Sequence, residues 1–209
     1  EIANKIEKIV KEENLKFLSE SIFSQKLFHI ESDFVEKNPS QAIPYHGEKF
    51  DSNKFVKLFS NDKAGKAGRA KWFLTKRKLI PVNVHLIDEY QVVVSSANAG
   101  GQKRDNQISI IDNKSAFGRS RVALKSFNSL KEAENFFEYA NSDLIKFAFL
   151  LTDEALTSLA KKVPDLLDYS NDNGLINFSK DINSQLSQLF HLTKQDEIYI
   201  KERIPKRNL

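Results

Sequence analysis

The sequence has no cysteine, so a disulfide framework and a thiolate-ligated zinc are both excluded. A reducing, cytoplasmic setting is the expectation that fits. The four histidines, His29, His46, His85 and His191, stand too far apart to form a metal-ligand pattern, and no metal is expected. Methionine is absent everywhere, position 1 included, which leads us to expect a segment of a longer protein. No apolar run approaches the roughly 18 residues of a membrane span. The longest, "LIKFAFLL" at 144–151, contains Lys146 and reads as a buried helix segment. No signal-peptide pattern opens the chain, and no membrane partner is expected.

Catalytic motifs are equally scarce. "NPSQ" at Asn38 lacks the second proline and the aromatic ring of the loop with which an amino-methyltransferase holds a flipped base. "AGKAGRAKW" fits neither the P-loop nor the dinucleotide fingerprint, and its glycines read as a turn. Asp165 and Asp168 are not followed by the acidic-x-Lys with which a metal-dependent nuclease completes its site. Ser95 and Ser96 lack a nucleophile elbow, so a hydrolase built on them and His85 is set aside. No catalytic residue is assigned.

What is present is a chain of 209 residues, 40% hydrophobic with 16 Phe, able to build one large domain or two small ones. Its net charge of +4 is modest but unevenly placed. Residues 49–78 carry ten basic side chains against Asp51 and Asp62, and residues 98–125 carry six against Asp105 and Asp112. Such a field suits a polyanion, whose condensed counterions are released when its phosphates are neutralised. A solvated lysine-rich surface is the plainer alternative.

Ile2, Ile6, Ile9 and Val10 predict an opening amphipathic helix. Pro39, Pro44 and Gly47 mark a loop-rich stretch after it. "KFVKLFS" alternates as a strand, and "KWFLT" beyond Gly65 and Gly68 is read as another. Three more strands are expected at 90–96, 107–112 and 121–127, the first two supported by the β-branched residues Val92, Val93, Val94, Ile108, Ile110 and Ile111. Ser129 and Glu132 form a capping-box pattern ahead of "LKEAENFFEYA". A second helix is expected over 142–162, ended by Pro164, a third around Ile182, Leu186, Leu189 and Phe190, and a last one capped by Thr193. The expected fold is α+β: a central mixed or antiparallel sheet of about five strands with helices at both ends of the chain. Its regions are 1–48, a helix and connecting loop; 49–128, β-rich and basic; and 129–209, helical and packed on the sheet, together one compact domain.

Several ordered signatures resemble the C-terminal specificity region of adenine-specific DNA methyltransferases from bacterial restriction-modification systems, including the type that fuses cleavage and methylation in one chain. They are "LIDEYQVVVSSANAGG", then Phe127, Ser129, Glu132, Ala133 and Asn135, then Val163, Pro164, Tyr169, Ser170, Leu192, Thr193, Glu197 and Ile198. The resemblance spans about residues 50–205. "VPDLLDYS" is one residue longer than the family spacing, and "SAFGRSRVAL" is more basic than its equivalent. The resemblance implies a target-recognition domain for double-stranded DNA. It also implies partnership with a methyltransferase region of the same parent chain, which would use S-adenosylmethionine, while this segment holds no cofactor.

On that reading Lys63, Lys66, Arg69, Lys71, Lys76, Arg77, Arg119 and Arg121 are expected mainly at phosphates. Asn98, Gln102, Lys103 and Arg104 are expected nearer the bases, because Arg and Lys match the guanine edge and Asn and Gln that of adenine. Two other readings stay open: a protein-interaction module whose terminal helices dock a partner subunit, and a complete small nuclease.

Overall fold

The computed structural model describes residues 1–22, 27–95, 108–152 and 160–204. In chain order its elements are α1 (Ile2–Glu12), β1 (Lys16–Phe17), α2 (Phe34–Lys37), β2 (Ile43–Pro44), β3 (Phe55–Asn61), β4 (Ala70–Lys76) and β5 (Tyr90–Ser95). There follow β6 (Ser109–Ile111), β7 (Ser115–Phe117), β8 (Arg121–Phe127), α3 (Leu130–Ala140), α4 (Asp143–Phe149), β9 (Pro164–Asp165), α5 (Ile182–Leu189) and α6 (Lys194–Arg203). The fold is α+β, with mixed and antiparallel sheets and helices at both ends of the chain. Its strands are distributed over sheets of two, four and three strands. Among the described residues no helix is long and apolar enough to cross a membrane. The chain divides into a terminal unit, Glu1–Ile22 with Lys131–Leu209, and a sheet unit, Phe23–Leu130.

In the terminal unit the apolar stripe of α1 is buried at Ile2, Ile6, Ile9 and Val10, as its spacing predicts. On α3, Ala133, Asn135, Phe136 and Tyr139 are buried. Asn135 donates from Nδ2 to the Tyr169 carbonyl at 2.8 Å, and the Tyr139 hydroxyl donates to the Pro164 carbonyl at 2.5 Å. Tyr169 meets the Phe136 ring edge to face at 4.9 Å and donates its hydroxyl to Asp165 Oδ1 at 2.8 Å. Burial lifts both tyrosine hydroxyls well above their ordinary pKa, so they stay protonated donors. The signature residues Asn135, Pro164 and Tyr169 therefore meet in one buried, hydrogen-bonded cluster. Thr193 caps α6 as expected: its hydroxyl accepts from the Asp196 amide at 3.1 Å, while Asp196 accepts from the Thr193 amide at 2.9 Å.

Two expectations change here. The helix predicted over 142–162 stops at Phe149, because the amides of Leu150 and Leu151 bond back only three residues, to Phe147 and Ala148, tightening the last turn. Residues 153–159 lie outside the described residues. Pro164 lies in β9, opposite Phe17 of β1, where a two-residue edge pairing tolerates its missing N–H.

In the sheet unit the alternation of "FVKLFSN" becomes β3, with Val56, Leu58 and Ser60 buried and Phe55, Lys57 and Phe59 on the other face. Each fully buried apolar side chain of this kind contributes about 1.5–3 kcal/mol. β3 pairs antiparallel with β4 over seven residue pairs, Phe55 opposite Lys76 and Asn61 opposite Ala70. β2 borders β4. The far edge is β7, parallel to β3, with Phe59 opposite Phe117. Residues 115–117 are read from sequence as part of a loop; all three are buried, so no alternation signals a strand. The antiparallel sheet β6-β5-β8 completes the unit, its central strand buried from Gln91 to Val94.

Candidate nucleic-acid interface

Because β3 and β7 run parallel, the turns that leave their C-terminal ends, residues 62–69 and 118–120, come to the same end of the four-stranded sheet. The first turn is built around glycines and one carboxylate. Gly65 has φ +82°, and a Cβ on Gly68 would stand 2.0 Å from the Lys63 carbonyl oxygen, so neither position accepts a side chain without rearrangement. Asp62 Oδ1 accepts the Arg69 amide at 2.9 Å, and Oδ2 holds Lys71 Nζ at 3.0 Å. The Arg69 amide first, and Lys71 with it, holds the Asp62 carboxyl below its usual range.

This turn presents Lys63, Lys66 and Arg69, and β4 adds Lys71 just beyond it, all exposed. Arg69 folds its guanidinium back onto the carbonyls of Lys66 and Gly68 at 3.1 and 3.0 Å. Lys63 and Lys66 have no ion pair among the described residues. Arg119, in the second turn, pairs with Glu31 at 2.7 Å. Arg121 opens β8 opposite Ser95, the last residue of β5, and its guanidinium lies 4.6 Å from the centroid of Phe59. Burial lowers the Arg121 pKa from its ordinary value.

Six of the basic residues named from sequence thus gather at one end of the sheets: Lys63, Lys66, Arg69, Lys71, Arg119 and Arg121. Lys76 and Arg77 do not join them. They lie at the opposite end of the β3–β4 hairpin, roughly 20 Å away along seven residues of strand. Arg77 is only 18% exposed and grips Asp88 through both arms at 2.9 and 3.2 Å. Asn98, Gln102, Lys103 and Arg104 lie outside the described residues.

Lys57, counted from sequence only as one of the basic residues of 49–78, lies nearer the root of β3 than the tip. Lys57 is paired with Asp112 and stands over the rings of Trp72 and Tyr45, at 5.4 and 5.9 Å. Trp72 in turn lies 5.1 Å from Phe59. Burial acts to raise the Asp112 pKa, but hydrogen bonds from Lys57, Ser115 and the Lys114 amide outweigh it and hold the carboxyl below its usual range. The alternation of Phe55, Lys57 and Phe59 is the sequence signal for this face; nothing local marks Asp112 as the partner. Glu31, Glu36 and Asp62 carry no motif at all. Among the described residues no group of His, Cys, Asp or Glu is arranged to hold a metal ion. Compared with known proteins, the chain matches no family model, no curated protein and no solved structure.

Proposed function

We propose that this chain recognises double-stranded DNA as the target-recognition domain of a larger restriction-modification enzyme. The 62–71 hairpin tip and the 118–121 turn contact phosphates, and the segment from Asn98 to Arg104 reads base edges. A methyltransferase region of the same parent chain binds S-adenosylmethionine and modifies adenine. One observation carries the reading: the parallel pairing of β3 with β7 brings two groups of basic residues that are distant in sequence, Lys63, Lys66, Arg69 and Lys71 on one side and Arg119 and Arg121 on the other, to one sheet end. Cations gathered on exposed turns suit a phosphate backbone better than cations scattered over a surface. The signature residues quoted above support the choice of enzyme class.

The test is fluorescence-anisotropy binding to a randomised duplex pool over a salt series, with sequencing of the bound fraction. Steep salt dependence and an enriched short motif are expected; flat, negligible binding overturns the reading. Replacing Lys66, Arg69 and Lys71 together by Ala lowers the salt slope by roughly one unit per phosphate contact removed. Arg104→Ala costs about 1–3 kcal/mol on the enriched motif and little on random DNA.

A second reading rests on the terminal unit. There α6 exposes Ile198 (43%) and Tyr199 (45%) beside a groove of about 580 Å³ lined also by Phe147 and Leu151. A partner subunit docked there would be lost on Ile198→Glu with DNA binding unchanged.

A further inference from the structure

One short stretch, residues 30–37, lays two carboxylates on the basic end of the sheet unit. Glu31 holds Arg119 Nη2 at 2.7 Å, with both side chains about half exposed. Five residues on, Glu36 of α2 accepts the Ala64 backbone amide at 3.1 Å, inside the 62–69 turn. A single segment thus bridges both turns that present the cations. It is seated from below, because Ile30 and Val35 are buried in the core of the unit. It also rests directly on the second turn: a Cβ on Gly118 would stand 3.5 Å from the Ile30 carbonyl oxygen. Its one lysine, Lys37, is bound to Asp33 at 2.7 Å, so the segment as a whole stays net negative.

A guanidinium arm and a backbone amide in a glycine turn are the donors that proteins offer to phosphate oxygens. Here each already holds a carboxylate oxygen. We propose that Glu31 and Glu36 are specificity-determining residues for the DNA recognition proposed above, on which this inference rests. They occupy phosphate positions at Arg119 and Ala64, and a phosphate must displace them to bind. Loosely seated DNA gains little from such an exchange, whereas a backbone docked in register recovers both contacts; competition of this kind is discrimination against the wrong partner. Exposed ion pairs are weak, so each displacement is expected to change affinity by no more than about fivefold.

The experiment measures binding of the whole chain to a random-sequence duplex by anisotropy across a salt series. It compares Glu31→Gln, Glu36→Gln, Arg119→Gln and the Glu31→Gln/Arg119→Gln double variant. Glu48→Gln serves as a charge control, since Glu48 bonds the His46 amide. Glu31→Gln and Glu36→Gln are each expected to tighten binding about two- to fivefold. The Glu31→Gln gain should vanish in the Arg119→Gln background, the coupling that a double-mutant cycle isolates. A gain that survives there, or that Glu48→Gln reproduces, reflects net charge alone and overturns the proposal. Steep salt-dependent binding by the wild type with no change in either glutamate variant overturns it too, while leaving DNA recognition standing. If the wild type binds no duplex at any salt, DNA recognition itself fails and takes this inference with it.

Discussion

The two ends of the β3–β4 hairpin carry the same residue types and treat them in opposite ways. At the root, Arg77 is mostly buried, grips Asp88 through both arms and donates to the Ser52 carbonyl at 3.3 Å, so its fork is occupied in tying two loops together. At the tip, Lys63 and Lys66 are exposed on a turn that Asp62 closes from within. A filled, bidentate guanidinium serves the fold; an exposed ammonium on a rigid turn serves the field outside it. Counting basic residues over 49–78 merges these two roles. Lys57 belongs with the root in this respect, held by Asp112 and two aromatic rings.

The largest expected effect removes the platform under both ends. Leu58 is fully buried in β3, and Leu58→Ala is expected to cost about 2–5 kcal/mol of stability, measured by denaturant unfolding. A loss below about 1 kcal/mol would mean that the site collapses around the deletion and does not act as a rigid spacer. Next, Lys63→Ala with Lys66→Ala should lower the salt slope of DNA binding by roughly two units while leaving unfolding unchanged. Arg77→Ala should do the reverse. It is expected to lose about 1 kcal/mol of stability, limited by the 64% exposure of Asp88, with the salt slope intact. A full unit of slope lost with unaltered stability would move Arg77 to the phosphate-contacting class and erase the contrast between the ends.

How much of this was legible in the sequence depends on where each element finds its partners. α1 and β3 follow from their own side chains, because the apolar period is local and the faces it predicts are the ones buried. β7 does not: Ser115, Ala116 and Phe117 become a strand by pairing with β3, nearly sixty residues earlier. The α4 terminus was missed for a related reason, since the apolar pattern runs on past Phe149 while the backbone bonding changes there. The basic residues were legible as charge. Which of them are committed to carboxylates was not, because Asp88, Glu31 and Asp112 are brought to Arg77, Arg119 and Lys57 by the tertiary fold. The convergence of the 62–69 and 118–120 turns has the same origin and was equally hidden.

The smallest expected effect tests whether the tip is held as described. The Arg69 amide, and then Lys71, favour the charged form of Asp62 and lower its pKa from the ordinary 3.8. An unfolded aspartate titrates near about 3.9. With the folded value depressed, the contribution of Asp62 is present in full above the unfolded value and is lost as pH falls through the folded one. The tip should therefore keep its closure at neutral pH and loosen only in acid. NMR titration should show the Asp62 carboxyl and the Arg69 amide shifting together, with a midpoint below 3.8. Lys71→Gln should raise that midpoint only part of the way, because the backbone amide remains. Asp62→Asn should remove the transition from the Arg69 amide altogether. If the amide shift is instead independent of Asp62, the turn is closed by its glycines alone, and the carboxylate serves only to neutralise Lys71.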